Sequence, residues 1–140
     1  MVVVKCKLNH PDAKLPTKTY ESDSCFDLYS VEEVIIPAHS WKEVSIGIVI
    51  EPPPGYGLFL RARSSQGIKG IQMHNGTIDC GYRGVLGTIV YNHSDEPYFV
   101  KIGDKIGQAF VEPILQVVFE QVSELSESER GEKGFGSSDK

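Results

Sequence analysis

The chain has 140 residues, a formal net charge of −5 and only 14 Lys and Arg. That length suits one domain around a single core, and so few basic residues argue against a protein that grips nucleic acid through its phosphates. No apolar run approaches the length of a membrane span, and the N-terminal MVVVKCK is too short for a signal sequence, so a soluble cytoplasmic protein is expected.

In chain order the predicted elements are nearly all strands. Short β-branched or aromatic runs cover Val2–Lys7, Val34–Ile36, Val44–Ile50, Leu58–Ala62, Val85–Tyr91, Tyr98–Ile102, Ile106–Val111 and Val117–Val122. Turn signals separate them at Pro37–Ser40, Pro52–Gly55, Asn92–Asp95 and Gly103–Asp104. No segment reads as a convincing helix. Many short strands at this spacing predict an all-β sandwich or barrel of the jelly-roll kind. From Ser123 the sequence turns to SELSESERGEKGFGSSDK, rich in charge, Gly and Ser, so residues 1–122 are expected to form the β domain and 123–140 a flexible arm. Cys6, Cys25 and Cys80 are widely spaced, which suits reduced thiols, and the four scattered histidines suggest no metal site.

The segment Thr77–Gly84 sets a carboxylate (Asp79), a ring (Tyr82) and a guanidinium (Arg83) on what reads as a tight turn between two apolar runs. Gly81 and Gly84 are expected to supply positive-φ freedom there; the plain alternative is a polar hairpin tip. Asp27 lies inside an apolar and aromatic segment, where a carboxylate needs a cation or hydrogen bonds. Arg61–Gly67 ends a strand with two guanidiniums and two hydroxyls, donors that match phosphate oxygens or simply a solvated strand end. Gln108 follows the Gly103–Asp104 turn. The tail Arg130–Ser138 lacks the order of a Walker motif; its lone Phe135 among Gly and Ser either stays disordered or orders over a ligand.

Taken together, these segments resemble the five motifs of the homotrimeric dUTPases, in the right order from Leu15 to Ser138. Ser24–Ser30 resembles the first motif and Arg63–Ser65 the second. Gly76–Gly84 resembles the third, Gly103–Gln108 the fourth and Arg130–Ser138 the fifth. The resemblance implies a distorted jelly-roll protomer in a trimer whose active sites are shared between subunits, and a dUTP diphosphatase that releases dUMP and pyrophosphate. It implies Asp79 as the base that activates water and Tyr82 packed beneath the deoxyribose. Asn75, Gly76, Thr77 and Ile78 would sit around uracil, with Arg63, Ser64, Ser65 and Gln108 around the phosphates. Arg130 would pair with the γ-phosphate, while Phe135, Gly136 and Ser137 of the arm would close over the nucleotide. Mg²⁺ is implied on the triphosphate, met by Asp27 through water.

The chain departs from the family pattern at Cys25, Ser65, Gly81 and Lys133. The resemblance extends to the related dCTP deaminases, which share the fold, but Ile68 and Ile89 stand where those enzymes use an Arg and a Glu, and isoleucine transfers no protons. A nucleotide-gated regulatory binding protein is the non-catalytic alternative.

Overall fold

The computed structural model describes residues 1–134. Eleven strands and one helical turn follow each other as β1 (Lys5–Leu8), β2 (Phe26–Tyr29), β3 (Val34–Ile36), β4 (Ser40–Ser45), β5 (Ile48–Glu51), β6 (Tyr56–Arg61), α1 (Ser64–Gly67), β7 (Ile71–Met73), β8 (Thr77–Ile78), β9 (Gly87–Asn92), β10 (Tyr98–Val100) and β11 (Lys105–Pro113). They pair antiparallel in four small sheets, ordered β1-β5, β10-β3, β2-β11-β6-β8 and β4-β9-β7. This is the all-β, jelly-roll-like architecture expected. No helix among the described residues is long and apolar enough to cross a membrane.

Alternation within the strands builds the core. Along β6, Leu58 and Leu60 are buried while Phe59 and Arg61 are half-exposed, and β9 alternates in the same way. The inward residues join Ile36, Val44, Ile48, Ile50, Val90 and Ile106 in one apolar cluster, whose burial supplies the main stabilisation of such a fold. The polar Asn92 sits in the same interior with every polar atom used: its amide donates to the carbonyls of Ile36, Pro37 and Glu96, and its Oδ1 accepts from Ser94.

Five expectations are corrected. Val44–Ile50 is two strands, because at Gly47 (φ +70°) the chain leaves the β4-β9-β7 sheet for the β1-β5 sheet, and an added Cβ there would stand 2.8 Å from Val31 Cγ1. Val117–Val122 forms no strand; it pairs with nothing among the described residues and is exposed, Val118 at 94% and Phe119 at 96%. A helical turn, α1, does form, directly after Arg63. Thr77–Gly84 is no hairpin tip, since β8 pairs with β6 and β9 with β4 and β7. Finally, neither Gly81 nor Gly84 adopts a positive φ; Gly84 is required for room, because a Cβ there would collide with the Tyr82 hydroxyl.

Candidate active site

The first half of the site is built on one face of the four-stranded sheet. Asp27 on β2 lies opposite Gln108 on β11, which lies opposite Arg61 on β6, so the three side chains share a row. A β-bulge between Lys105 and Gly107 shifts the register of β11 and brings Lys105 onto the side of Asp27, which strict alternation from Gln108 would deny it. Gly107 lets the bulge lie flat on the core, since any side chain there would run into Met73 Sδ. The chain leaving β6 then turns into α1, presenting Arg63, Ser64 and Ser65 beside the same row.

Asp27, Arg63, Ser64, Ser65 and Gln108 line an open cleft of about 420 Å³ together with Thr19, Tyr20 and Cys25. Asp27 is its electrostatic centre. The carboxylate is almost buried and divides its oxygens between two cations, Oδ1 at 3.0 Å from Arg63 Nε and Oδ2 at 2.6 Å from Lys105 Nζ. Lys105 is also 3.2 Å from the Thr19 hydroxyl, and Gln108 Nε2 donates to the Ala62 carbonyl at 2.9 Å. The Arg63 guanidinium, two serine hydroxyls and the Gln108 amide on one cleft, with Lys105 bound to the other oxygen of Asp27, form a donor set suited to an oxyanion such as a phosphate.

The second half lies beyond β8. Thr77, Ile78, Asp79, Tyr82 and Gly87 line a pocket of about 150 Å³. Gly76 approaches Leu60 closely: its carbonyl accepts from Leu60 N–H at 2.8 Å, and a Cβ would come within 3.1 Å of Leu60 Cδ1. After β8 the chain turns back on itself with Tyr82 N–H donating to the Asp79 carbonyl at 3.0 Å. Asp79 is exposed and Tyr82 is 46% exposed, so acid and ring stand at the surface beside the pocket.

The two halves do not meet within one chain. Ile78 pairs with Leu58 and Asp27 aligns with Arg61, so Asp79 and Asp27 lie three strand spacings and about four residues apart, roughly 20 Å across the sheet. Arg130 is remote from both in sequence and closes a local turn in which its Nε donates to the Lys133 carbonyl at 3.0 Å. Phe135, Gly136 and Ser137 lie outside the described residues. Sequence reasoning missed Lys105 as a partner of Asp27, and Thr19 and Tyr20 as cleft walls. The bulge that recruits Lys105 has no sequence signal apart from Gly107, and the Thr19–Tyr20 loop reaches the cleft only through tertiary folding.

Comparison with known proteins assigns the family and the fold. A family model described as dUTPase matches residues 11–139. The deoxyuridine 5′-triphosphate nucleotidohydrolase of Clostridium tetani (strain Massachusetts / E88) is 42% identical over 140 residues, covering 98% of this chain and 97% of the relative. The enzyme of that name from Helicobacter pylori (strain J99) is 39% identical over 96% of this chain and 94% of its own. Among solved structures, the Staphylococcus bacteriophage 80alpha dUTPase with dUPNHPP superposes with a TM-score of 0.90 at 28% identity, over 97% of this chain and 98% of the phage chain. The dUTPase of phage phi11 of S. aureus, solved as a D95N mutant that coordinates a structural Mg(II) ion, shares the fold with a TM-score of 0.83 at 22% identity, over 89% and 99% of the two chains. With a family model over almost the whole length, full-length relatives near 40% identity and the same fold, this chain belongs to the dUTPase family.

Proposed function

We propose that this protein is a cytoplasmic dUTP diphosphatase, working as a homotrimer whose active sites each combine residues of more than one copy. Family membership supports the reaction. The observation that carries the shared site is the separation of roughly 20 Å between the Asp79 pocket and the Asp27 cleft within one chain, a gap that a neighbouring copy closes by bringing its own cleft to the pocket.

In this reading uracil and deoxyribose lie against Asn75, Gly76, Thr77 and Ile78 of one copy. The Tyr82 ring walls the sugar so that a 2′-hydroxyl has no room. The phosphates enter the neighbour's cleft, where Arg63, Ser64, Ser65 and Gln108 donate to their oxygens. Asp79 takes a proton from a water whose oxygen attacks the α-phosphorus. A bond forms from that oxygen to phosphorus, the bond to the bridging oxygen breaks, and pyrophosphate leaves dUMP behind. Arg130 pairs with the γ-phosphate, and the arm bearing Phe135, Gly136 and Ser137 closes over the base to exclude bulk water. Lowering dUTP in this way limits uracil incorporation into DNA and supplies dUMP.

Mg²⁺ fits the cleft as an ion brought in on the triphosphate. Among the described residues no three His, Cys, Asp or Glu gather into a ligand set, and Mg²⁺ is commonly held by one or two carboxylates plus substrate phosphates. Both oxygens of Asp27 already face cations, so a water-mediated contact suits it better than direct ligation. When bound, Mg²⁺ neutralises phosphate charge and favours in-line attack.

The test is pyrophosphate release from dUTP, dCTP, dTTP and UTP with Mg²⁺, with products identified by chromatography. Selective conversion of dUTP to dUMP is expected; conversion of dCTP to a uracil nucleotide, or no turnover of any of the four, would overturn the reading. The shared site has its own test. Reassembled mixtures of Asp79→Asn and Ser64→Ala chains, each inactive alone, should recover about one quarter of wild-type activity, because a site that borrows from its neighbour is intact in that share of random trimers. No recovery would place both halves on one chain.

A further inference from the structure

We propose that Glu51 is a positioning residue for this reaction: by holding the Arg83 guanidinium it braces the loop that carries Asp79 and Tyr82 against a different sheet. The inference rests on the reading of Asp79 as the base. It concerns the one member of the Asp79–Tyr82–Arg83 constellation to which the mechanism gives no task.

Arg83 does not point at the pocket. Its Nη1 donates to two carbonyls of its own loop, Cys80 O at 2.7 Å and Tyr82 O at 2.8 Å, while Nη2 stands 3.6 Å from Glu51 Oε2. A planar fork of fixed donors can serve two carbonyls and a carboxylate together, which a lysine ammonium on a flexible stem cannot do with the same definition. From Asp79 to Arg83 the loop is exposed, and one backbone bond, Tyr82 N–H to Asp79 O, closes this stretch; further on, buried Leu86 donates to the Ile48 carbonyl and accepts from Ile46 N–H. The two guanidinium bonds therefore join that single backbone bond in setting the shape of the Asp79–Arg83 stretch.

Glu51 gives that guanidinium a fixed point. It ends β5 directly opposite Lys5 of β1, and its carboxylate is held from two sides, Oε1 at 3.1 Å from Lys5 Nζ and Oε2 toward Arg83. The hydrogen bond and charge of Lys5, followed by the charge of Arg83, hold the Glu51 carboxyl below the usual carboxylate range, so the brace is charged at neutral pH. Among the described residues β5 pairs only with β1, whereas β8 belongs to the four-stranded sheet. The Lys5–Glu51–Arg83 chain thus ties the exposed Asp79–Arg83 stretch to the β1-β5 ribbon, in addition to the backbone bond from Leu86 N–H to the Ile48 carbonyl of β5.

Catalysis is sensitive to such ties because small displacements of a reacting group are costly in rate. All three side chains are partly solvated, so the effect should be moderate and screened by salt. At low ionic strength Glu51→Gln is expected to lower kcat about three- to tenfold and to change KM less than about twofold, as for a misaligned base with its binding pocket intact. Glu51→Asp should restore part of the loss. In an Arg83→Met background Glu51→Gln should cost nothing further, and added salt should narrow the gap between wild type and Glu51→Gln. An unchanged kcat, a loss confined to KM, or additive losses in the double variant would overturn the brace. Asp79→Asn assayed alongside separates the two readings. If Asp79→Asn is inactive while Glu51→Gln is normal, only the brace fails; if Asp79→Asn turns over normally, the base assignment fails with it.

Discussion

Asp27→Asn tests the electrostatic centre of the cleft, because it removes one negative charge and keeps the shape. The carboxylate side chain is 11% exposed and its partners Arg63 and Lys105 are 26% and 35% exposed. Breaking a fully buried ion pair costs about 3–5 kcal/mol. Here the stranded cations can turn partly to water, which reduces the expected loss to about 2 kcal/mol. For a domain of this size that lowers Tm by roughly 6–10 °C, read by calorimetry at fixed protein concentration, since assembly links stability to concentration. Binding should move the other way. With Asp27 neutral, Arg63 and Lys105 are no longer compensated, so metal-free dUTP should bind several-fold tighter, while the gain in turnover on adding Mg²⁺ shrinks. An unchanged Tm together with weaker metal-free binding would refute this account of the cleft.

Asp79→Asn should reduce turnover to background while nucleotide binding and Tm hold, because Asp79 is exposed; near-normal pyrophosphate release would remove it as the base. Gly84→Ala should push the Tyr82 ring off its seat, since the new Cβ collides with the Tyr82 hydroxyl; the measurable result is a smaller ratio of kcat/KM for dUTP over UTP. Gly107→Ala forces a methyl into Met73, which is 1% exposed; overpacking of this kind costs about 1–3 kcal/mol, and denaturant midpoints should show it together with weaker dUTP binding through Gln108. Deleting the chain after Glu129 should abolish most activity and leave Tm nearly unchanged, because residues 114–134 are exposed throughout.

What could be read from the sequence was what neighbouring residues decide. β3 and β10 lie inside their expected runs, and β9 overlaps Val85–Tyr91 but ends one residue later, because each is β-prone and bounded by turn residues. Asp27, Arg63, Ser64 and Gln108 were each nameable from local chemistry, and the fold gathers them on one cleft. Partners distant in sequence were hidden. Gly47 breaks a run that reads as one strand because Val31 and His10 crowd it. β7 has only three residues and is a strand because β9 is beside it. The recruitment of Lys105 depends on a bulge, and the role of Gly84 on a ring two residues away that folds back over it.

Val117–Val122 is the instructive failure. Its β-branched and aromatic residues carry a strand signal, yet no strand among the described residues pairs with it. Leu115, Val118 and Phe119 are 82%, 94% and 96% exposed, beside half-exposed Ile114 and Val122. A solvated monomer rarely leaves so contiguous an apolar segment uncovered. The two halves of the candidate site pose the same problem in another form, since each has the right chemistry and neither has its complement within roughly 20 Å on the same chain. A sequence read one chain at a time can name β-prone segments and candidate site residues but has no means of locating partners on another copy. A neighbouring copy in the proposed trimer would supply the missing half of the site, and an uncovered apolar segment on the same chain is a second, independent reason to expect such a copy.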